Sequence, residues 1–345
     1  MSNAPEPIII KPLKGPHARR RFTKPLAKVQ QLLDDAMASK GPALLAQVFF
    51  QYNARAPLFQ LEGLGRVYEH MGLKDKLFAR VRLESKIVED ALGSMDFWLV
   101  VAKKCIDWSM PAGVTLLARD RYLEACGRTW AWIEAHDWVA CRYHLDAELL
   151  PGKFCRKLKE VEWYSPRKEA RVLARWLESE LHDIHESIQQ LDLNDIENGL
   201  HKSRREVRWV SIYFSSVEGG FALDRHAKAP DNWDRYLTKE IVENPFNKLP
   251  EPEPDDVPLH VPAPLLYALS YVIDRLGVIK DRAEWTKTME QLLQLTGEKA
   301  SLPQLMGENY LEQPDATRQG KTLLDQVFMK DRVLLRMSEV MKEQG

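Results

Sequence analysis

Four side chains in the segment His201-Lys202-Ser203-Arg204-Arg205-Glu206-Val207-Arg208 have the types and spacing to grip an anion. At about 100° per residue, His201, Arg204, Arg205 and Arg208 share one stripe of a helix, while Val207, Val210 and Phe214 share the opposite side. Arginine offers a planar fork of donors that matches the oxygens of a phosphate, and histidine adds a donor that becomes cationic at mildly acidic pH. Cations crowded on one face repel each other unless an anion or a carboxylate compensates them. Binding of a polyanion there releases counterions and therefore weakens steeply with salt. A second copy lies at His17-Ala18-Arg19-Arg20-Arg21-Phe22-Thr23-Lys24. Arg20, Arg21 and Lys24 follow His17 at the offsets at which Arg204, Arg205 and Arg208 follow His201, and Lys28 extends the stripe by a turn. Phe22, Leu26, Val29 and Leu33 take the other side. From Lys11 to Lys28 the chain carries no acid.

Other constellations carry less. His182 and His185, with Asp183 and Glu186, have the spacing of metal ligands on one helical face, but no third ligand stands at a characteristic distance. Arg167, Lys168, Arg171 and Arg175 read as an exposed helix paired with Glu178 and Glu180. There is no Walker loop, no GxGxxG, no GxSxG and no HExxH, so no recognisable catalytic motif and no expected cofactor or metal. Cys105, Cys126, Cys141 and Cys155 form no CxxC pair and read as free thiols of a reduced, cytoplasmic setting. The tryptophans are scattered from Trp98 to Trp285, as core anchors would be.

The elements that must position these side chains are helices. Helical periodicity covers about 17–36, 43–53, 57–72, 74–92, 96–107, 114–139, 167–190, 199–217, 233–243, 264–277, 281–296 and 322–343. Pro25 either kinks the first of these or moves its start to Thr23. Leu92-Gly93 and Leu276-Gly277 read as helix ends. Residues 1–16 form a Pro-rich irregular arm and residues 244–264 a proline-dense linker, and no stretch shows strand alternation. With 345 residues and a formal net charge of −1, the chain can bury a substantial core, and an anion site must come from local clustering rather than global charge. That balance, and the lack of a basic-aromatic module, argue against nucleic acid. No apolar run approaches the roughly 18 residues of a membrane span.

The correspondence between the halves extends beyond the stripes. His17 to Gly93 and His201 to Gly277 span the same interval of 76 residues. At the same register Val88 matches Val272, Asp90 matches Asp274 and Leu92 matches Leu276. Repeats at this scale mark duplicated supersecondary units.

A helix carrying His-x-x-Arg-x-x-x-Arg/Lys twice, each with a downstream Leu-Gly and acid, resembles the CHAD family (conserved histidine α-helical domain). His17, Arg20 and Lys24 match the motif in the first half, and His201, Arg204 and Arg208 match it in the second. The segment Leu-Gly-Val-Ile-Lys-Asp at 276–281 is similar to the family's second-half signature. The resemblance implies an all-α fold of two helical bundles related by pseudo-twofold symmetry, with the signature helices lining a basic groove. It also implies binding of inorganic polyphosphate, and in some members an association with storage granules.

The expectation is therefore a first bundle over 17–165, a second over 166–345, and non-enzymatic binding of inorganic polyphosphate or a similar polyanion. His17, Arg20, Arg21, Lys24, Lys28, His201, Arg204, Arg205 and Arg208 would carry that binding. The competing expectation is a helical protein-protein interaction scaffold whose basic helices meet an acidic partner. There the linker 244–264, with Leu259 and Val261, would serve as a docking segment.

Overall fold

Apolar side chains recur at helical spacing along most of the chain, and the chain folds accordingly. The computed structural model describes residues 16–38, 41–140 and 148–345. The expected N-terminal arm, apart from Pro16, lies outside the described residues, as do Lys11, Lys14 and Cys141. The fold is all-α apart from two short strands. It divides into two units, Met1–Trp163 and Tyr164–Gly345, where the sequence placed the boundary at 165/166.

The first unit contains α1 (His17–Met37), α2 (Pro42–Gln51), α3 (Arg55–Glu69), α4 (Asp75–Asp107), α5 (Ala112–Ala135) and α6 (Leu150–Leu158). α4 packs along α3 and α5, while α1 is held by α2, α3 and α6. An aromatic cluster ties these elements together. The Phe22 ring lies 5.1 Å from Tyr68 and 5.3 Å from Phe78, and Trp163 closes the group at 5.6 Å from Tyr68. Edge-to-face and tilted pairs of this kind add to the area that aromatic rings bury.

The second unit contains α7 (Pro166–Gln190), α8 (Lys202–Ser216), α9 (Lys239–Val242), α10 (Ala263–Thr296), α11 (Leu302–Met306), α12 (Gln313–Leu324) and α13 (Val333–Gln344). α13 packs along α7, and α8 lies against both α10 and α7. Two π-turns, Ile196–His201 and Asp325–Lys330, run directly into α8 and out of α12. The strands β1 (Phe221–Asp224) and β2 (Leu259–Pro262) pair in parallel, with Phe221 opposite Leu259 and Leu223 opposite Val261. The side-chain amide of Gln344 bonds both backbone groups of His260, which occupies part of the outer edge of β2.

Several sequence expectations are corrected here. Pro25 neither breaks α1 nor delays its start. α1 runs through it from His17, with Pro25 buried among Phe22, Leu26 and Val29. Proline in a helix interior costs about 3 kcal/mol or more, and packing of the surrounding apolar side chains offsets it. Leu92-Gly93 and Leu276-Gly277 do not end helices, because both glycines lie well inside α4 and α10, of 33 and 34 residues. The expected helix 322–343 is α12, a π-turn and α13. The strands were missed because four residues are too few for alternation to be read. The linker 244–264 contains a 3-10 turn and β2, and its Leu259 and Val261 are buried, so these two side chains are not available for docking. Among the described residues, no helix is long and apolar enough to cross a membrane.

Phe78 is fully buried in the aromatic cluster. Phe78→Ala is expected to destabilise the first unit by about 3–5 kcal/mol, read as a lower urea midpoint of unfolding.

Candidate anion-binding site

In the second unit the cationic helix is entered through a capped turn. The Asp195 carboxylate accepts from the backbone N–H of Glu197 at 2.9 Å and of Asn198 at 3.0 Å, and from the Asn198 amide at 2.8 Å. These bonds hold its pKa below the usual carboxylate range. His201 ends the π-turn, with Nδ1 3.0 Å from Glu197. On α8, Val207, Val210, Tyr213 and Phe214 are buried, as the period requires. Arg205 is exposed, whereas Arg204 and Arg208 are half-buried. Arg204 donates through Nε to the backbone carbonyl of Ile273 on α10, at 3.1 Å. Its guanidinium lies beside Gly277. Among the described residues Arg204 and Arg205 make no ion pair. One acid shares α8: Glu206 accepts from Ser187 at 3.3 Å and stands 3.8 Å from Lys202, and burial raises its pKa.

In the first unit Lys24 and Lys28 are exposed on α1, and His17 and Arg20 are half-buried. Arg21 departs from the expectation. It is only 3% exposed, and its guanidinium donates to the Tyr68 hydroxyl at 2.6 Å. It is therefore corrected from a ligand-facing residue to an interior one. The reason is geometric. α1 packs against α2, α3 and α6, and Arg21 lies on the side where the Tyr68 hydroxyl of α3 receives it. Arg205, at the corresponding place on α8, stays in solvent.

The metal-like constellation does not converge. His182 faces solvent beside Glu186 at 3.4 Å, whereas His185 is buried, 6% exposed, with Nε2 3.1 Å from the Gln189 amide. Among the described residues, no group of three or more His, Cys, Asp or Glu side chains is placed to hold a metal ion. Cys105, Cys126 and Cys155 are buried free thiols, and burial pushes Cys105 and Cys155 up to about 11, far from a reactive thiolate.

One basic group was undervalued at the sequence level. Arg167, Arg171 and Arg175 on α7 are exposed, and among the described residues none pairs with an acid. Glu180, their expected partner, accepts instead from the Tyr213 hydroxyl at 3.1 Å, and Lys168 lies over the Tyr164 ring at 3.8 Å. Their i, i+4 spacing was visible. The diversion of the acid to a tyrosine across helices was not.

No family model, no curated protein and no solved structure matches this chain.

Desolvation, and to a lesser degree His182 and Arg332, hold the pKa of His185 below its ordinary 6.5, with Glu186 opposing. The unfolded chain then binds a proton before the folded one does. Stability is expected to be flat above pH 6.5 and to fall as pH drops from there towards the folded-state value. His185→Phe should flatten that segment of a melting-temperature profile taken between about pH 7.5 and 5.

Proposed function

We propose that this chain binds inorganic polyphosphate or a similar polyanion, without chemical turnover, through the cationic faces of α1 and α8. The observation that carries the reading is the contrast between Arg204 and Arg205 and two other arginines of the chain. Arg55 and Arg82 are spent on carboxylates, with Arg55 held by Glu89 at 2.6 Å and Asp96 at 2.8 Å, and Arg82 held by Glu69 at 2.7 Å. Arg204 and Arg205 are not so neutralised. Lys28 is likewise exposed and makes no ion pair among the described residues. Cations kept out of ion pairs suit a ligand that carries repeated negative charge.

Arg204 and Arg208 supply forked contacts in this reading. Arg205, Lys24 and Lys28 add charge, and His17, Arg20 and His201 complete the two stripes. The exposed Arg167, Arg171 and Arg175 enlarge the cationic surface of the second unit. The recurrence of a His-x-x-Arg helix, and of a Leu-Gly pair inside a long helix, supports descent from a duplicated CHAD-like unit. Inorganic polyphosphate is the anion that resemblance brings with it. A helical scaffold that presents the same cations to an acidic protein is the alternative, and it loses the support it drew from Leu259 and Val261.

The test is a binding titration with long-chain polyphosphate at two salt concentrations, with single-stranded nucleic acid as competitor. Arg204→Ala combined with Arg208→Ala is expected to weaken binding at least about tenfold and to flatten the dependence of affinity on salt. Arg21→Met should leave affinity within about twofold, since that guanidinium is turned inward. Unchanged binding in the double variant, or preference for the nucleic acid, would overturn the reading.

A further inference from the structure

The half-buried arginine of α8 is received by a gap in α10. A methyl group built on Gly277 would lie 3.0 Å from one terminal nitrogen of Arg204, 3.1 Å from its Nε and 3.4 Å from its Cζ. Ordinary carbon contacts are longer, so any side chain here displaces the guanidinium by a few tenths of an ångström. The same guanidinium is pinned at Nε by the carbonyl of Ile273, one turn back on the same helix. Gly277 lies deep inside a 34-residue helix with no turn to make, and glycine there costs about 1 kcal/mol relative to alanine. That cost is explained if the gap itself is required.

The acids of this stretch of α10 do not close on Arg204. Asp274 is 3.9 Å from Arg275, and Asp281 is 3.4 Å from Lys280, which also binds Glu284. The first unit uses the same device differently. A methyl group on Gly93 would lie 3.3 Å from a terminal nitrogen of Arg55. There Glu89 takes Nε at 3.0 Å and that nitrogen at 2.6 Å, and Asp96 takes the other at 2.8 Å. One glycine-bordered arginine is saturated by carboxylates. The other is held at Nε by a backbone carbonyl, and among the described residues its terminal nitrogens meet no carboxylate.

We infer that Gly277 is a positioning residue that, together with the Ile273 carbonyl, aims the Arg204 fork at a phosphate-type oxyanion. The matching slot of the first unit is closed by its own acids and reads no anion. This rests on the proposed polyanion binding and adds to it where the directional contact is made. Apart from Arg208, the remaining cations act mainly through charge, which tolerates small displacements, whereas a two-donor fork does not.

The experiment compares wild type, Gly277→Ala, Arg204→Ala and the double variant. Each is titrated with long-chain polyphosphate at two salt concentrations, and its melting temperature is measured. Gly277→Ala keeps every charge, so its affinity should fall about three- to tenfold with the salt slope unchanged, and Arg204→Ala should lower both. The double variant should bind no worse than Arg204→Ala alone. In the Arg204→Ala background the added methyl meets no guanidinium. There Gly277→Ala should raise the melting temperature, and by more than in the wild-type background. Gly277→Ala binding like wild type while Arg204→Ala binds weakly would overturn the positioning role. Equal melting-temperature changes in both backgrounds would overturn the slot. A wild-type chain that ignores polyphosphate at both salts would instead sink the polyanion reading, and the melting temperatures would then decide on the slot separately.

Discussion

A guanidinium keeps its charge at every physiological pH, so an arginine drawn into a helix interface must be met by an acceptor or keep an edge in water. This constraint shapes both units. Arg21 is turned onto the Tyr68 hydroxyl, Arg55 onto Glu89 and Asp96, and Arg204 onto the carbonyl of Ile273. A neutral acceptor leaves the charge uncancelled, whereas a carboxylate removes most of its field. Exposure and the identity of the acceptor together decide which arginines keep an uncompensated charge near the surface: Arg21 is buried, Arg55 meets carboxylates, and Arg204 is half-buried on a neutral carbonyl.

The two cationic helices show how neighbours set that outcome. α1 is packed by three helices, and its buried arc takes in Ala18, Arg21, Phe22, Thr23 and Pro25 in turn. α8 buries Ser203, Val207, Trp209, Val210, Tyr213 and Phe214, and leaves its whole His-Arg stripe at or near the surface. Arg21 and Arg205 follow their histidines at the same distance in sequence, yet one is interior and the other exposed. Arg21 meets the Tyr68 hydroxyl on a neighbouring helix, whereas Arg205 stays in solvent.

Acids also behave as shared acceptors. Glu180 serves Tyr213 rather than the arginines of its own helix, and Asp331 gathers Tyr236, Arg235 and Gln326 around one carboxylate. Burial and that carboxylate raise the pKa of Tyr236, which keeps the phenol a donor at any ordinary pH. Helix-local charge pairing predicts neither arrangement, because Tyr213 comes to Glu180, and Arg235 and Tyr236 come to Asp331, from other elements.

What the sequence determined by itself was the helical class, the place of the two basic helices and the sign of their faces. Apolar periodicity and basic spacing are local properties and survive folding. The reach of α4 and α10 through Leu92-Gly93 and Leu276-Gly277 was not legible. A glycine after a leucine signals a helix end when it is free to turn, and here each glycine is held in the helix next to an incoming guanidinium. The inward turn of Arg21 was hidden as well, and the strands were too short for alternation to show. Tertiary structure decided them, because burial and acceptor choice depend on side chains brought together from distant parts of each unit.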